Sequence, residues 1–129
     1  MVDSARILVV DDEEIIRFAL RSVLMTMHFE VDCAESLDDA VAHLDAHVYG
    51  ALLVDLRLSG SDDTTGLVVV SEARRRLPAC RIVVLTAYGT TEMERRARAA
   101  GADDFLAKPQ PLSEVIARVR PRRTVNPAT

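Results

Sequence analysis

The chain has 129 residues, enough for one domain with a sizeable core and too few for two. With 49% hydrophobic residues and a net charge of −4, it is neither an intrinsically disordered chain nor a general nucleic-acid binder, which would present a basic surface. Aromatic residues are only 4% and tryptophan is absent, so the core must be built from Val, Leu, Ile and Ala. No apolar run approaches membrane length and no leader-like segment opens the chain, so a cytoplasmic protein with no membrane contact is expected.

Residues 6–10 form a β-type apolar run. Over 14–27 the apolar residues follow helical spacing, with Ile15, Ile16, Ala19, Leu20, Val23, Leu24 and Met27 on one broad face. Residues 30–34 alternate Val31 and Cys33 with polar neighbours, a weaker strand signal. Ser36 suits the N-cap of a helix burying Leu37, Ala40, Val41 and Leu44. A third strand is expected over 51–54, then a polar loop over 59–66 and a helix over about 67–76 that ends before Pro78. Residues 81–85 make a fourth strand. Thr90 or Thr91 caps a helix to about Ala100, and Gly101 stands where a left-handed C-terminal cap belongs. The last strand spans 103–107 and the last helix about 112–120, stopped by Pro121. A domain over 1–121 and a tail or linker over 122–129 are expected.

Strands alternating with helices call for an α/β fold, a doubly wound parallel sheet of five strands with five helices and right-handed crossovers. Three strands are continuously apolar, as expected where both sheet faces are covered. Cys33 and Cys80 border or sit in apolar runs and read as reduced core residues.

Four strands end in polar residues of one chemical theme. Asp11-Asp12 follow Ile7-Leu-Val-Val10, Asp55 follows Ala51-Leu-Leu-Val54, and Thr86 follows Ile82-Val-Val-Leu85. Lys108, the only lysine, follows Phe105-Leu-Ala107. Open α/β sheets place ligands at the carboxyl ends of their strands, which points to one shared site. Singly, the run Asp11-Asp12-Glu13-Glu14 suits helix-dipole complementarity, Thr86 a cap and Lys108 a solvated amine. Asp55 is harder to explain that way, because a carboxylate after four apolar residues is partly buried and needs a partner. Together they suit phosphoryl chemistry. Carboxylates hold Mg2+, one carboxylate attacks an activated phosphoryl group to give an acyl phosphate, lysine contacts a phosphoryl oxygen, and a hydroxyl donates to it. His28, His43 and His47 show no ligand spacing.

The stretches Ile7-Leu-Val-Val-Asp-Asp-Glu13, Leu53-Val-Asp-Leu56, Val84-Leu-Thr-Ala87 and Gly101-Ala-Asp-Asp-Phe-Leu-Ala-Lys-Pro109, in this order and spacing, resemble the receiver domain of two-component response regulators. The resemblance covers roughly 6–120. It implies a flavodoxin-like sheet of order 2-1-3-4-5. It implies that Asp55 accepts a phosphoryl group from a sensor histidine kinase or phosphotransfer protein and that a conformational switch follows. By the same resemblance, Asp12 is a direct Mg2+ ligand, Asp11 holds a metal-bound water, and the Arg57 backbone carbonyl is a further ligand. Thr86 is the switch hydroxyl, the Ala87 amide contacts the phosphoryl group, Lys108 binds it, and Phe105 is the switch aromatic. The Lys108-Pro109 bond is expected to be cis. Such a domain is not an enzyme on a separate substrate.

Two competing readings remain: a Mg2+-dependent phosphohydrolase with an aspartyl nucleophile, and an interaction module that is never phosphorylated. The first usually needs a second acid two residues past the nucleophile, where Arg57 stands, and a cap domain that is missing. A nucleotide-binding protein is disfavoured because no glycine-rich loop follows the first strand.

The chain departs from the family pattern after Asp55. Leu58-Ser59 replace a usual Met-Pro pair, and Gly66 comes later than the usual glycine, so the loop is longer and adds Asp62 and Asp63. Bulky Arg57 and Tyr88, two residues past Asp55 and Thr86, imply slow self-hydrolysis. The face of the fourth helix, fifth strand and fifth helix carries Arg95, Arg96, Arg98, Asp103, Asp104, Arg118 and Arg120, either a solvated face or a symmetric homodimer surface. No output domain is recognisable in these residues.

Overall fold

A computed structural model describes residues 6–58, 64–87 and 89–120. The elements in chain order are β1 (Arg6–Val10), α1 (Glu14–Thr26), β2 (Glu30–Ala34), α2 (Leu37–Ala46), β3 (Ala51–Val54), α3 (Thr64–Arg76), β4 (Arg81–Thr86), α4 (Thr91–Ala100), β5 (Asp104–Ala107) and α5 (Leu112–Val119). The strands form one parallel sheet in the order β2-β1-β3-β4-β5. Ser59, Asp62, Asp63, Tyr88, Pro121 and the tail 122–129 lie outside the described residues.

The period-two alternation of the strands divides the core into two layers. Leu8, Val10, Leu52, Val54, Ile82 and Val84 face one way, against Ala40 and Leu44 of α2, Val69, Val70 and Ala73 of α3, and Met93 and Ala97 of α4. Ile7, Val9, Ala51, Leu53, Val83 and Leu85 face the other way, against Leu20 and Leu24 of α1 and Val115 and Val119 of α5. β1, β3 and β4 are covered on both faces, which is why their sequences are apolar throughout.

Capping follows the expected chemistry. Ser36 Oγ accepts from the Asp39 amide at 3.1 Å, and Thr90 Oγ1, not Thr91, accepts from the Met93 amide at 3.0 Å. Gly101 ends α4 with φ 127°, where a Cβ would lie 2.8 Å from the Cβ of Arg74. Arg74 ties this end of the molecule together. Its guanidinium donates to the carbonyls of Gly101 (2.7 and 3.1 Å), Pro78 (2.8 Å) and Cys80 (2.8 Å) and pairs with Asp103 (2.9 Å).

Two expectations are corrected. Ile15 is not on the buried face of α1: it is 80% exposed, next to Phe18 at 71%, while Leu20 and Leu24 carry the packing. Ile15 and Phe18 sit three residues apart, so they share the outer side. The second correction concerns α3, which starts at Thr64 and takes the last three residues of the expected loop into its first turn. Gly66 makes this possible. Its amide donates to the Leu56 carbonyl at 3.0 Å, and a Cβ there would lie 2.2 Å from Leu56 Cα. The turn therefore rests directly on the chain leaving β3.

Both cysteines are free, and burial pushes the Cys80 thiol up to about 12. Among the described residues no helix is long and apolar enough to cross a membrane.

Candidate functional site

The sheet ladder runs into the site. Val10 lies opposite both Ala34 and Val54, so the next residues, Asp11 and Asp55, leave adjacent strands at one level. The Asp11 amide donates to the Ala34 carbonyl (3.0 Å), the Asp55 amide to the Val10 carbonyl (2.9 Å), and the Lys108 amide to the Thr86 carbonyl (2.8 Å). Parallel pairing thus fixes the backbone of three strand-end site residues before any side chain acts.

Asp11, Asp55 and Thr86 are the buried polar residues of the described chain. The Lys108 ammonium is shared between Asp55 Oδ2 at 3.1 Å, Asp11 Oδ2 at 3.3 Å and Glu13 Oε1 at 3.3 Å. Each buried carboxylate also accepts a local amide: Asp11 Oδ1 from Glu13 at 2.9 Å, Asp55 Oδ1 from Arg57 at 3.1 Å. Arg17 of α1 donates to the Asp11 carbonyl at 2.8 Å and faces Glu35 at 3.7 Å, tying the β1–α1 turn to the segment after β2.

The charges shift one another. Burial pushes the Asp11 carboxyl above its ordinary range; the Glu13 amide and Lys108 oppose this, and the Asp55 charge adds to it. Burial works against the Lys108 charge, but the facing Asp11 and Asp55 carboxylates outweigh it and hold the ammonium well above its usual range.

Oxygens of Asp11, Asp12 and Asp55 lie within 4.8 Å of one another, with Asp12 exposed and the other two buried. With Glu13 the cluster sets four carboxylates against one ammonium, which contacts Asp11, Asp55 and Glu13, a surplus of negative charge on hard oxygen donors. The set fits a divalent cation. Phe105 is half-buried against the α2–α4 core, and a Cβ on Gly89 would meet its Cε1 at 3.1 Å. Ala87 is exposed just past the end of β4. The Lys108-Pro109 peptide bond is cis.

The fold therefore gathers Asp11, Asp12, Asp55 and Lys108 into one cluster, with Thr86 buried on the neighbouring strand end. Sequence reasoning missed Glu13 and Arg17. Glu13 stands inside an acidic run at a helix start, but its side chain makes no cap bond and turns to Lys108 instead. Arg17 carries no sequence signal, because its link to Asp11 depends on how α1 returns over the turn.

The model of the response regulator receiver domain matches residues 7–120. The transcriptional regulatory protein ResD of Bacillus subtilis strain 168 is 38% identical over 119 residues, covering 92% of this chain and 48% of that protein. The photosynthetic apparatus regulatory protein RegA of Cereibacter sphaeroides is 38% identical over 109 residues, covering 84% of this chain and 58% of that one. The chain thus spans about half the length of these relatives. Among solved structures, a response regulator from Burkholderia pseudomallei, with a phosphorylated aspartic acid, calcium ion and citrate, superposes with TM-score 0.82 at 30% identity. That match covers 89% of this chain and 66% of the other. The receiver domain of NtrX from Brucella abortus gives TM-score 0.76 at 31% identity, covering 86% and 92%. With the fold, the strand-end cluster and these matches in agreement, the chain belongs to the receiver domain family of two-component response regulators.

Proposed function

We propose that Asp55 is the phosphoacceptor, taking its phosphoryl group from a sensor histidine kinase or a phosphotransfer protein. The observation that carries this reading is the Lys108 ammonium set between two buried carboxylates, 3.1 Å from Asp55 and 3.3 Å from Asp11. A carboxylate oxygen of Asp55 attacks phosphorus as the phosphorus–nitrogen bond of the donor histidine breaks, leaving an acyl phosphate. Lys108 then donates to a phosphoryl oxygen. Asp11, Asp12, Asp55 and the Arg57 backbone carbonyl are the groups that would hold Mg2+. When bound there, the ion would offset the negative charge between nucleophile and phosphoryl group. Thr86, the Ala87 amide and Phe105 form the switch: the hydroxyl is drawn to the phosphoryl oxygens and the aromatic ring moves with it. Gly89 leaves that ring room that any side chain at this position would take, since a Cβ there would lie 3.1 Å from Phe105 Cε1.

Ile15 and Phe18 offer exposed apolar surface on the first turns of α1, the helix that follows Asp11 and Asp12 in the chain, where a donor protein can dock. Free cysteines and the lack of a membrane-length helix among the described residues are consistent with a cytoplasmic setting. On the α4–β5–α5 face, Arg98 pairs with Glu94, Arg81 with Asp104, and Arg118 with both Asp104 and Glu114. A symmetric dimer there would have to open or share these pairs, so the monomer is the expected resting state.

Arg57 beside Asp55 disfavours the phosphohydrolase reading, and a generic phosphatase substrate should not turn over. Incubation with acetyl phosphate and Mg2+ followed by intact mass tests the main reading. A phosphate-sized gain is expected, absent in Asp55→Asn. No gain under conditions that label an ordinary receiver would overturn it. Because the sequence places bulky Arg57 and Tyr88 two residues past Asp55 and Thr86, positions that in this family tune the access of water, the acyl phosphate should outlast the seconds scale; decay within seconds in Mg2+ without a phosphatase would remove that part.

A further inference from the structure

Of the three carboxylates on Lys108, Glu13 alone belongs neither to the metal set nor to the phosphoacceptor. Its side chain is 62% exposed, against 5% for Asp11 and 8% for Asp55. It crosses from the turn after β1 to the turn after β5, although its place at the start of α1 would let it cap the helix instead. An ammonium has three N–H donors, and Asp55, Asp11 and Glu13 take all three. A phosphoryl oxygen arriving at Asp55 needs one of them. Asp11 is held by burial and by the Glu13 amide at 2.9 Å, while the Glu13 carboxylate can turn into water at small cost.

We propose that Glu13 is a positioning residue that holds Lys108 in the unphosphorylated domain and competes with the incoming phosphoryl group for it. This rests on Asp55 being the phosphoacceptor and adds a threshold to that site. A small anionic donor must displace a carboxylate as well as meet its charge.

The test is Glu13→Gln, which keeps the length of the side chain and removes its charge. With Mg2+ saturating, beryllofluoride titrated by calorimetry should bind about two- to fivefold tighter than to the original chain, the scale of one exposed charged contact. The acetyl phosphate concentration that half-saturates labelling should fall by a similar factor with the maximal rate unchanged, and the difference should shrink in high salt. Glu13→Asp, too short for the contact, should follow Glu13→Gln. Beryllofluoride affinity in Glu13→Gln equal to or weaker than in the original chain overturns the proposal. Tight binding by Glu13→Gln beside unchanged binding by Glu13→Asp overturns the contact and leaves only a general charge effect. Failure of the original chain to take beryllofluoride or label at all would instead strike the phosphoacceptor reading.

Discussion

Gly66 and His28 show how single backbone positions set this molecule's limits. A methyl group on Gly66 would collide with backbone, not with a side chain that could swing away, and the backbone is that of Leu56, next to Asp55. Gly66→Ala should therefore cost about 3 kcal/mol in urea unfolding, as overpacking does, and slow acetyl phosphate labelling as well. His28 is the opposite case. It closes α1 with φ 70° and its amide donates to the Met25 carbonyl at 3.0 Å, a left-handed turn that histidine adopts under strain. His28→Gly should raise stability by about 1 kcal/mol, read as a higher melting temperature, with labelling unchanged. Lys108→Met would leave Asp11 and Asp55 facing each other without their cation. The variant should melt earlier than the original chain in EDTA, and added Mg2+ should recover more of the loss than it adds to the original. The candidate site was legible because each of its residues ends a strand, and strand ends can be read along one dimension. Glu13 and Arg17 were not, since their partners are set by side-chain reach across turns 95 and 6 residues away in sequence.

At the scale of elements, nearly every helix and strand lies where periodicity and capping put it. Ser36 caps α2 as its spacing to Asp39 requires, and Ser36→Ala should cost about 1 kcal/mol by urea denaturation. The start of α3 could not be read this way. A glycine preceded by Ser, Asp and Thr signals a loop locally, and only contact with Leu56 makes it a helical turn. The outward turn of Ile15 was hidden for a related reason: a seven-residue apolar set on α1 is wider than the surface β1 and β3 offer. Arg74 is a third tertiary device, joining α3 to the end of α4 and the approach to β4. Arg74→Met would remove the guanidinium from three carbonyls and from the Asp103 carboxylate, which keeps the Ile82 amide at 2.8 Å. A loss of about 2 kcal/mol is expected in urea, with beryllofluoride affinity preserved, because the clamp lies away from the carboxylate cluster.

The molecule as a whole has two polar ends separated by an apolar sheet. Opposite the carboxylate cluster, at the amino ends of the strands, the buried Tyr49 hydroxyl donates to Asp32 at 2.6 Å and Arg6 donates to the same oxygen at 2.8 Å. Burial pushes the Asp32 carboxyl up, but the Tyr49 and Arg6 hydrogen bonds outweigh it and leave it below its ordinary 3.8. A depressed carboxyl stabilises the fold above its unfolded value and loses that contribution as pH falls through the folded one. The fold should therefore weaken below about pH 4 from this end. In Tyr49→Phe the acid limb of a circular dichroism titration should be shallower, since that donor is gone. Burial and Asp32 together hold the Tyr49 phenol above its ordinary 10. A raised phenol keeps its contribution below the unfolded value and loses it as pH climbs past 10, so the same substitution should also flatten the alkaline limb.

Lys108 is the chain's only lysine, and it stands at the centre of the carboxylate cluster. That gives the protein a built-in probe. Biosynthetic labelling with carbon-13 lysine preserves the charge and all three N–H donors and adds one lysine side-chain signal to the spectrum that needs no assignment. Its chemical shift would follow cation binding, phosphoryl capture and the loss of Glu13 in one experiment. Held protonated by its neighbours, the same amine should acylate slowly at neutral pH, so a rise in its reactivity would report the moment those neighbours let go.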